Sequence, residues 1–101
     1  MSTQKATMIV LGVVNPQEKE ALQKYTQKAT PLFVQAGAKL LGRFKVQKSY
    51  IGEHIPQIVT LMEFPEMSTI EKVLESPEYQ DLIPLRGKAF KQLDILAGTE
   101  L

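Results

Sequence analysis

Two segments of this chain are apolar on both faces, and they constrain the fold more than anything else in it. Met8-Ile-Val-Leu-Gly-Val-Val14 is one, and Gln57 to Phe64 is the other, broken only by Gln57, Thr60 and Glu63. A β-strand turns successive side chains to opposite sides, so an apolar run of this kind needs cover above and below. Both segments are therefore expected in the centre of a sheet.

The chain has 101 residues, room for one domain spanning 1–101. The intervening segments supply the other elements. After Val14, Asn15 is placed to cap a helix, with Pro16 at its first position and Glu18 three residues after the cap. Leu22, Tyr25, Ala29, Leu32, Phe33 and Ala36 recur at helical spacing and form one apolar stripe. Pro31 either kinks this helix or opens a second one capped by Thr30. Gly37 suits a left-handed stop.

Leu40 to Tyr50 alternates. Leu40, Gly42, Phe44, Val46, Lys48 and Tyr50 point one way; Leu41, Arg43, Lys45, Gln47 and Ser49 point the other. Arg43, Lys45 and Lys48 read as a solvated edge that discourages unwanted strand pairing. Gly52-Glu53-His54 marks a turn. Later, Ser68 is expected to cap a short helix with Ile70, Val73 and Leu74 inward, and Ser76-Pro77 to start another turn. Leu82 to Phe90 is a further short helix, and Leu93 to Ala97 a last strand ended by Gly98.

The order strand, helix, strand, strand, helix, strand fits an α+β, ferredoxin-like βαββαβ sandwich with a four-stranded antiparallel sheet. Helices cover one sheet face. The other carries apolar residues such as Val59 and Leu61, and must find a partner. Two-fold self-association into a dimeric α/β barrel is the expected answer, so a homodimer is expected.

Composition excludes several function classes. Twelve basic and 11 acidic residues leave a net charge of +1, without the cationic excess of a nucleic-acid binder. No stretch approaches the about 20 apolar residues of a membrane helix. The start, Met-Ser-Thr-Gln-Lys, lacks a signal-peptide core. Zero cysteines and one histidine leave no disulfide and no ordinary metal set, so no metal and no cofactor are expected. A cytoplasmic location fits.

Five polar residues could carry chemistry. Glu63 sits late in an otherwise apolar central strand and could act as a general base, or simply pair with a cation. Arg86 could clamp a carboxylate or enolate, or tie to Glu63, Glu78 or Asp81. Tyr79 could donate to a ligand carbonyl, or bury its ring. Ser76 could touch a ligand but suits a helix cap, and His54 titrates near neutrality but sits in a turn.

Phe64-Pro65, then Ser76-Pro77-Glu78-Tyr79-Gln80, then Pro84-Leu85-Arg86 resemble the domain-of-unknown-function family 1330. The Gly52 turn before Pro56 and the Gly37 stop before Leu40-Leu41 are similar too, so the likeness runs from about Thr7 to Gly98. It implies a dimeric α/β barrel, in a superfamily that includes cofactor-free oxygenases, isomerases, lyases and haem enzymes. The chain departs from that pattern where Ile51-Gly52-Glu53-His54 replaces Glu-Gly-Asp-Trp, and where Ile58 replaces an Arg. Two functions stand open: a cofactor-free enzyme acting on a small acidic or carbonyl-bearing molecule, and a non-catalytic small-ligand or interaction module.

Overall fold

A computed structural model describes residues 4–101. The first three residues of the polar N-terminal stretch lie outside the described residues. The elements run β1 (Ala6–Val14), α1 (Lys19–Gln35), β2 (Lys39–Lys45), β3 (Ile58–Phe64), α2 (Met67–Glu75), α3 (Pro77–Gln80), α4 (Ile83–Ala89) and β4 (Phe90–Gly98).

The four strands form one antiparallel sheet in the order β2-β3-β1-β4. The two doubly apolar segments, β1 and β3, thus lie side by side in its centre. This is the ferredoxin-like arrangement, and the reason is the one given by their patterns. In register, Ala6 faces Phe64, Met8 faces Met62 and Val10 faces Thr60. Ala6, Met8, Thr60 and Phe64 are all buried under the helices. The next residues along, Ile9, Leu11, Val59 and Leu61, turn to the other face, which no described helix covers.

The helix layer holds the core. Phe33 of α1 meets Phe64 edge-on, with ring centroids 6.2 Å apart. Ala21, Tyr25, Ala29, Ile70, Val73, Tyr79, Leu82 and Ala89 belong to the same buried cluster. Among the described residues, no helix is long and apolar enough to cross a membrane.

Local starts and stops differ from the sequence expectations in instructive ways. Asn15 does not cap α1. Its Oδ1 accepts from Gln17 N–H at 3.1 Å, a tight turn of its own, and the helix begins four residues later at Lys19. The helix then continues through Pro31 without a second cap. Pro31 sits on the exposed side, where water can satisfy the carbonyl it leaves free. Ser68 does not cap α2 either: Glu66 holds that position, and the Ser68 hydroxyl donates to its carboxylate. Ser76 caps α3 as expected, accepting from Tyr79 N–H at 3.2 Å.

β2 stops at Lys45 rather than at Tyr50: its partner β3 begins at Ile58, and beyond that pair Val46 N–H donates once more, to the Gln57 carbonyl at 2.8 Å. Residues 46–57 form a long excursion with Tyr50 and Ile51 exposed. A register shift between Leu40 and Gly42 also breaks the simple alternation. Leu40 pairs with Met62 and Arg43 with Thr60, so both lean toward the helix side, while Gly42 and Phe44 lie with the open face.

Gly37 adopts φ +93°, the left-handed stop. An added Cβ would also stand 3.2 Å from Pro65 Cγ. Gly37→Ala should therefore cost about 1 kcal/mol or slightly more, read as a lower urea midpoint with unchanged m-value.

Candidate functional site

Between α1 and the helix-facing side of the sheet lies a groove of about 220 Å³. Its floor is buried: Met8, Tyr25, Ala29, Phe33 and Thr60. Its rim is exposed: Thr26, Thr30 and Val34 on α1, with Leu40 and Arg43 on β2. The helical stripe and the sheet alternation together create this space. Small residues, Ala29 and Ala38, stand where larger ones would fill it. Arg43 is the one charged side chain on its wall among the described residues. A cavity of about 150 Å³ can hold benzene, so this one admits a somewhat larger flat molecule.

Tyr25 connects the groove to a polar chain. Its hydroxyl lies 2.8 Å from that of Tyr79, and Arg86 Nη1 donates to Tyr79 Oη at 3.1 Å. The Arg86 guanidinium also stands 5.6 Å from the Tyr79 ring centroid, over its π-system. Aromatic neighbours hold both phenols in place: Phe90 meets Tyr25 edge-on at 5.7 Å, and Phe33 meets Tyr79 at a tilt at 5.8 Å.

Burial pushes the Tyr25 phenol above its ordinary range, the Tyr79 hydroxyl adds to this, and Arg86 works against it. The folded state thus holds this proton more tightly than the unfolded chain, whose phenol titrates near 10.0. That stabilisation is complete below the unfolded value and is lost as pH rises past it, at up to about 1.4 kcal/mol per pH unit. Urea midpoints should fall between pH 9.5 and 11 in the native protein, and fall less in Tyr25→Phe.

The five residues singled out in the sequence separate into different places. Tyr79 and Arg86 come together, and Ser76 holds the turn that presents Tyr79. Ser76 also donates to Val73 carbonyl at 2.7 Å, which engages its hydroxyl in structure. Glu63 stands on the open face, 3.4 Å from Lys5 Nζ, and does not meet Arg86. His54 lies beside a small recess shared with Gln92 and Asp94, again on the open side. Among the described residues no group of three acidic, histidine or cysteine side chains gathers as a metal site. Tyr25 and Arg43 were hidden from sequence reasoning. In the sequence Tyr25 is one more member of the α1 stripe, though a buried phenol usually finds a hydrogen-bond partner. Arg43 reads in the sequence as part of a solvated edge, and the shift between Leu40 and Gly42 is what turns it toward the groove.

A four-stranded antiparallel sheet under a helix layer, with a groove between them, defines an α+β protein of ferredoxin-like fold. The chain belongs to the family described as "Domain of unknown function (DUF1330)", whose model matches residues 7–98. No curated protein matches it. Among solved structures, it is similar to a protein of unknown function from Rhodopseudomonas palustris, at 18% identity and TM-score 0.82, over 97% of this chain and 83% of that one. SnoaB from Streptomyces nogalater, described as a cofactor-independent oxygenase, aligns at 7% identity and TM-score 0.68, over 98% and 95%. A protein of unknown function from Bacteroides fragilis, described as dimeric and of ferredoxin-like fold, aligns at 11% and 0.61, over 95% and 96%. These likenesses establish the fold.

Proposed function

We propose that this protein is a homodimer that binds a small, largely apolar molecule in the groove between α1 and the sheet. The observation that carries this reading is the groove itself: a buried, largely apolar floor that includes Tyr25, and one arginine at the rim. Few well-placed polar groups in an apolar cleft are the usual composition of a ligand site. The groove reading favours binding over acid–base catalysis, because Glu63, the carboxylate that a base mechanism would use, stands on the opposite face of the sheet. The cofactor-independent oxygenase among the structural neighbours keeps chemistry on a bound molecule as the second reading, in which Tyr79 and Arg86 act only by way of Tyr25, since neither lines the groove. A cytoplasmic location accords with the absence of cysteine from the sequence.

The homodimer uses the open sheet face. Ile9, Leu11, Val59 and Leu61 form its centre, and Phe44 and Leu96 add exposed apolar area beside them. Thr7, Lys39, Glu63, Gln92 and Asp94 surround that centre with polar groups, as an interface core and rim would require.

2-Naphthoate tests the groove. It has a flat apolar body and one anionic head, and its binding can be followed by isothermal titration calorimetry. Saturable binding is expected, and Thr30→Trp should abolish it by closing the rim without touching the core. Undiminished binding in that variant would place the site elsewhere.

A further inference from the structure

The hydrogen bonds around Tyr25 have a direction, and the direction identifies what the groove offers a ligand. An arginine side chain donates and never accepts. Arg86 therefore donates to Tyr79 Oη, at 3.1 Å. Tyr79 is 1% exposed, so its own proton must find an acceptor inside the protein. The oxygen within reach is that of Tyr25, at 2.8 Å. If Tyr25 donated instead, the Tyr79 oxygen would receive two protons and its own would be buried without an acceptor, a loss worth avoiding energetically. Tyr79 thus donates to Tyr25. The Tyr25 proton is left over, and among the described residues its hydroxyl makes no other hydrogen bond. Tyr25 is itself 8% exposed and lines the groove.

We propose that Tyr25 is the hydrogen-bond donor of the groove, that it binds a carboxylate or carbonyl oxygen of a flat apolar ligand, and that Arg86, acting through Tyr79, is the positioning residue that directs it. This rests on the groove being the ligand site. Each donor in the chain polarises the next, so the charge of Arg86 strengthens the terminal donor without entering the groove. Arg43, the charged residue of the wall, favours a carboxylate over a neutral carbonyl. Burial keeps Tyr25 protonated, which suits a donor and not a base.

The test compares two probes of one shape, 2-naphthoate and 2-methylnaphthalene, by equilibrium dialysis on the native protein and three variants. Tyr25→Phe should weaken 2-naphthoate on the order of tenfold or more, the loss of one hydrogen bond to a charged group. It should leave 2-methylnaphthalene within about twofold, since that probe has no acceptor. Arg86→Met should weaken 2-naphthoate selectively, and Arg86→Lys should restore part of the loss. If Tyr25→Phe fails to fold, the two Arg86 variants decide by the same selectivity. Equal losses for both probes, or none for either, would overturn the donor assignment while leaving the groove intact. Failure of both probes to bind the native protein would overturn the groove reading instead. An affinity for 2-methylnaphthalene equal to that for 2-naphthoate in the native protein would overturn the ligand class.

Discussion

Replacing Tyr79 with alanine should remove about 3–5 kcal/mol of stability, the largest single effect expected in this chain. The ring is 1% exposed and lies where α3 meets α1, against Phe33 and Tyr25. Its removal leaves a cavity at the centre of the helix layer. The loss is a large share of the roughly 5–15 kcal/mol that holds a typical domain together. In a chain of this size it corresponds to a fall in Tm of roughly 15 °C or more. Tyr79→Phe separates the ring from the hydroxyl. It keeps the packing but deprives Tyr25 of a donor and Arg86 of an acceptor, at a cost of about 1–3 kcal/mol. Thermal unfolding followed by circular dichroism checks both. Equal losses for the two variants would show that the ring contributes little, against the packing described.

Leu61→Arg should convert the proposed dimer into a folded monomer. Leu61 lies on β3 opposite Ile9, facing away from the helices. In an isolated subunit the new side chain meets water, and a surface change of this kind costs little. In a two-fold interface each copy would bury an unpaired charge, and both copies carry one. A penalty of about 4 kcal/mol or more raises the dissociation constant on the order of a thousandfold. Light scattering on dilute protein should give twice 11.3 kDa for the native chain and 11.3 kDa for the variant. A native protein that elutes as a monomer would remove the barrel while leaving the fold. A variant that remains dimeric would move the interface off this face.

The central strands were legible because their pattern had only one solution: a run apolar on both faces must lie between neighbours. β1 and β3 pair accordingly. The edge strand was less legible. Alternation continues from Leu40 to Tyr50 in the sequence, but pairing ends where the partner ends, and a pattern does not carry its partner's length. The slip between Leu40 and Gly42 is invisible for the same reason, and it is what brings Arg43 to the groove. Side chains able to cap mark the expected helix starts, yet Asn15 and Ser68 find competing local partners.

The candidate site was legible only in part. Tyr79 and Arg86 stood out by chemistry, and the fold brings them together. Glu63 stood out by contrast with its apolar neighbours, but a strand period of two sends it to the face opposite Tyr79. Tyr25 could not be distinguished from packing, because its role depends on a hydroxyl contact with a residue 54 positions away. What a helical stripe conceals is the one polar atom at the end of an otherwise apolar side chain.

The proposed ligand site is the groove under α1. Backbone amide chemical shifts during a titration with 2-naphthoate test it most directly. Saturable shifts are expected to concentrate at Tyr25, Thr30, Val34, Leu40 and Arg43, around the groove. Shifts confined to Ile9, Leu61 and Leu96 on the open sheet face, or none at saturating probe, would contradict it.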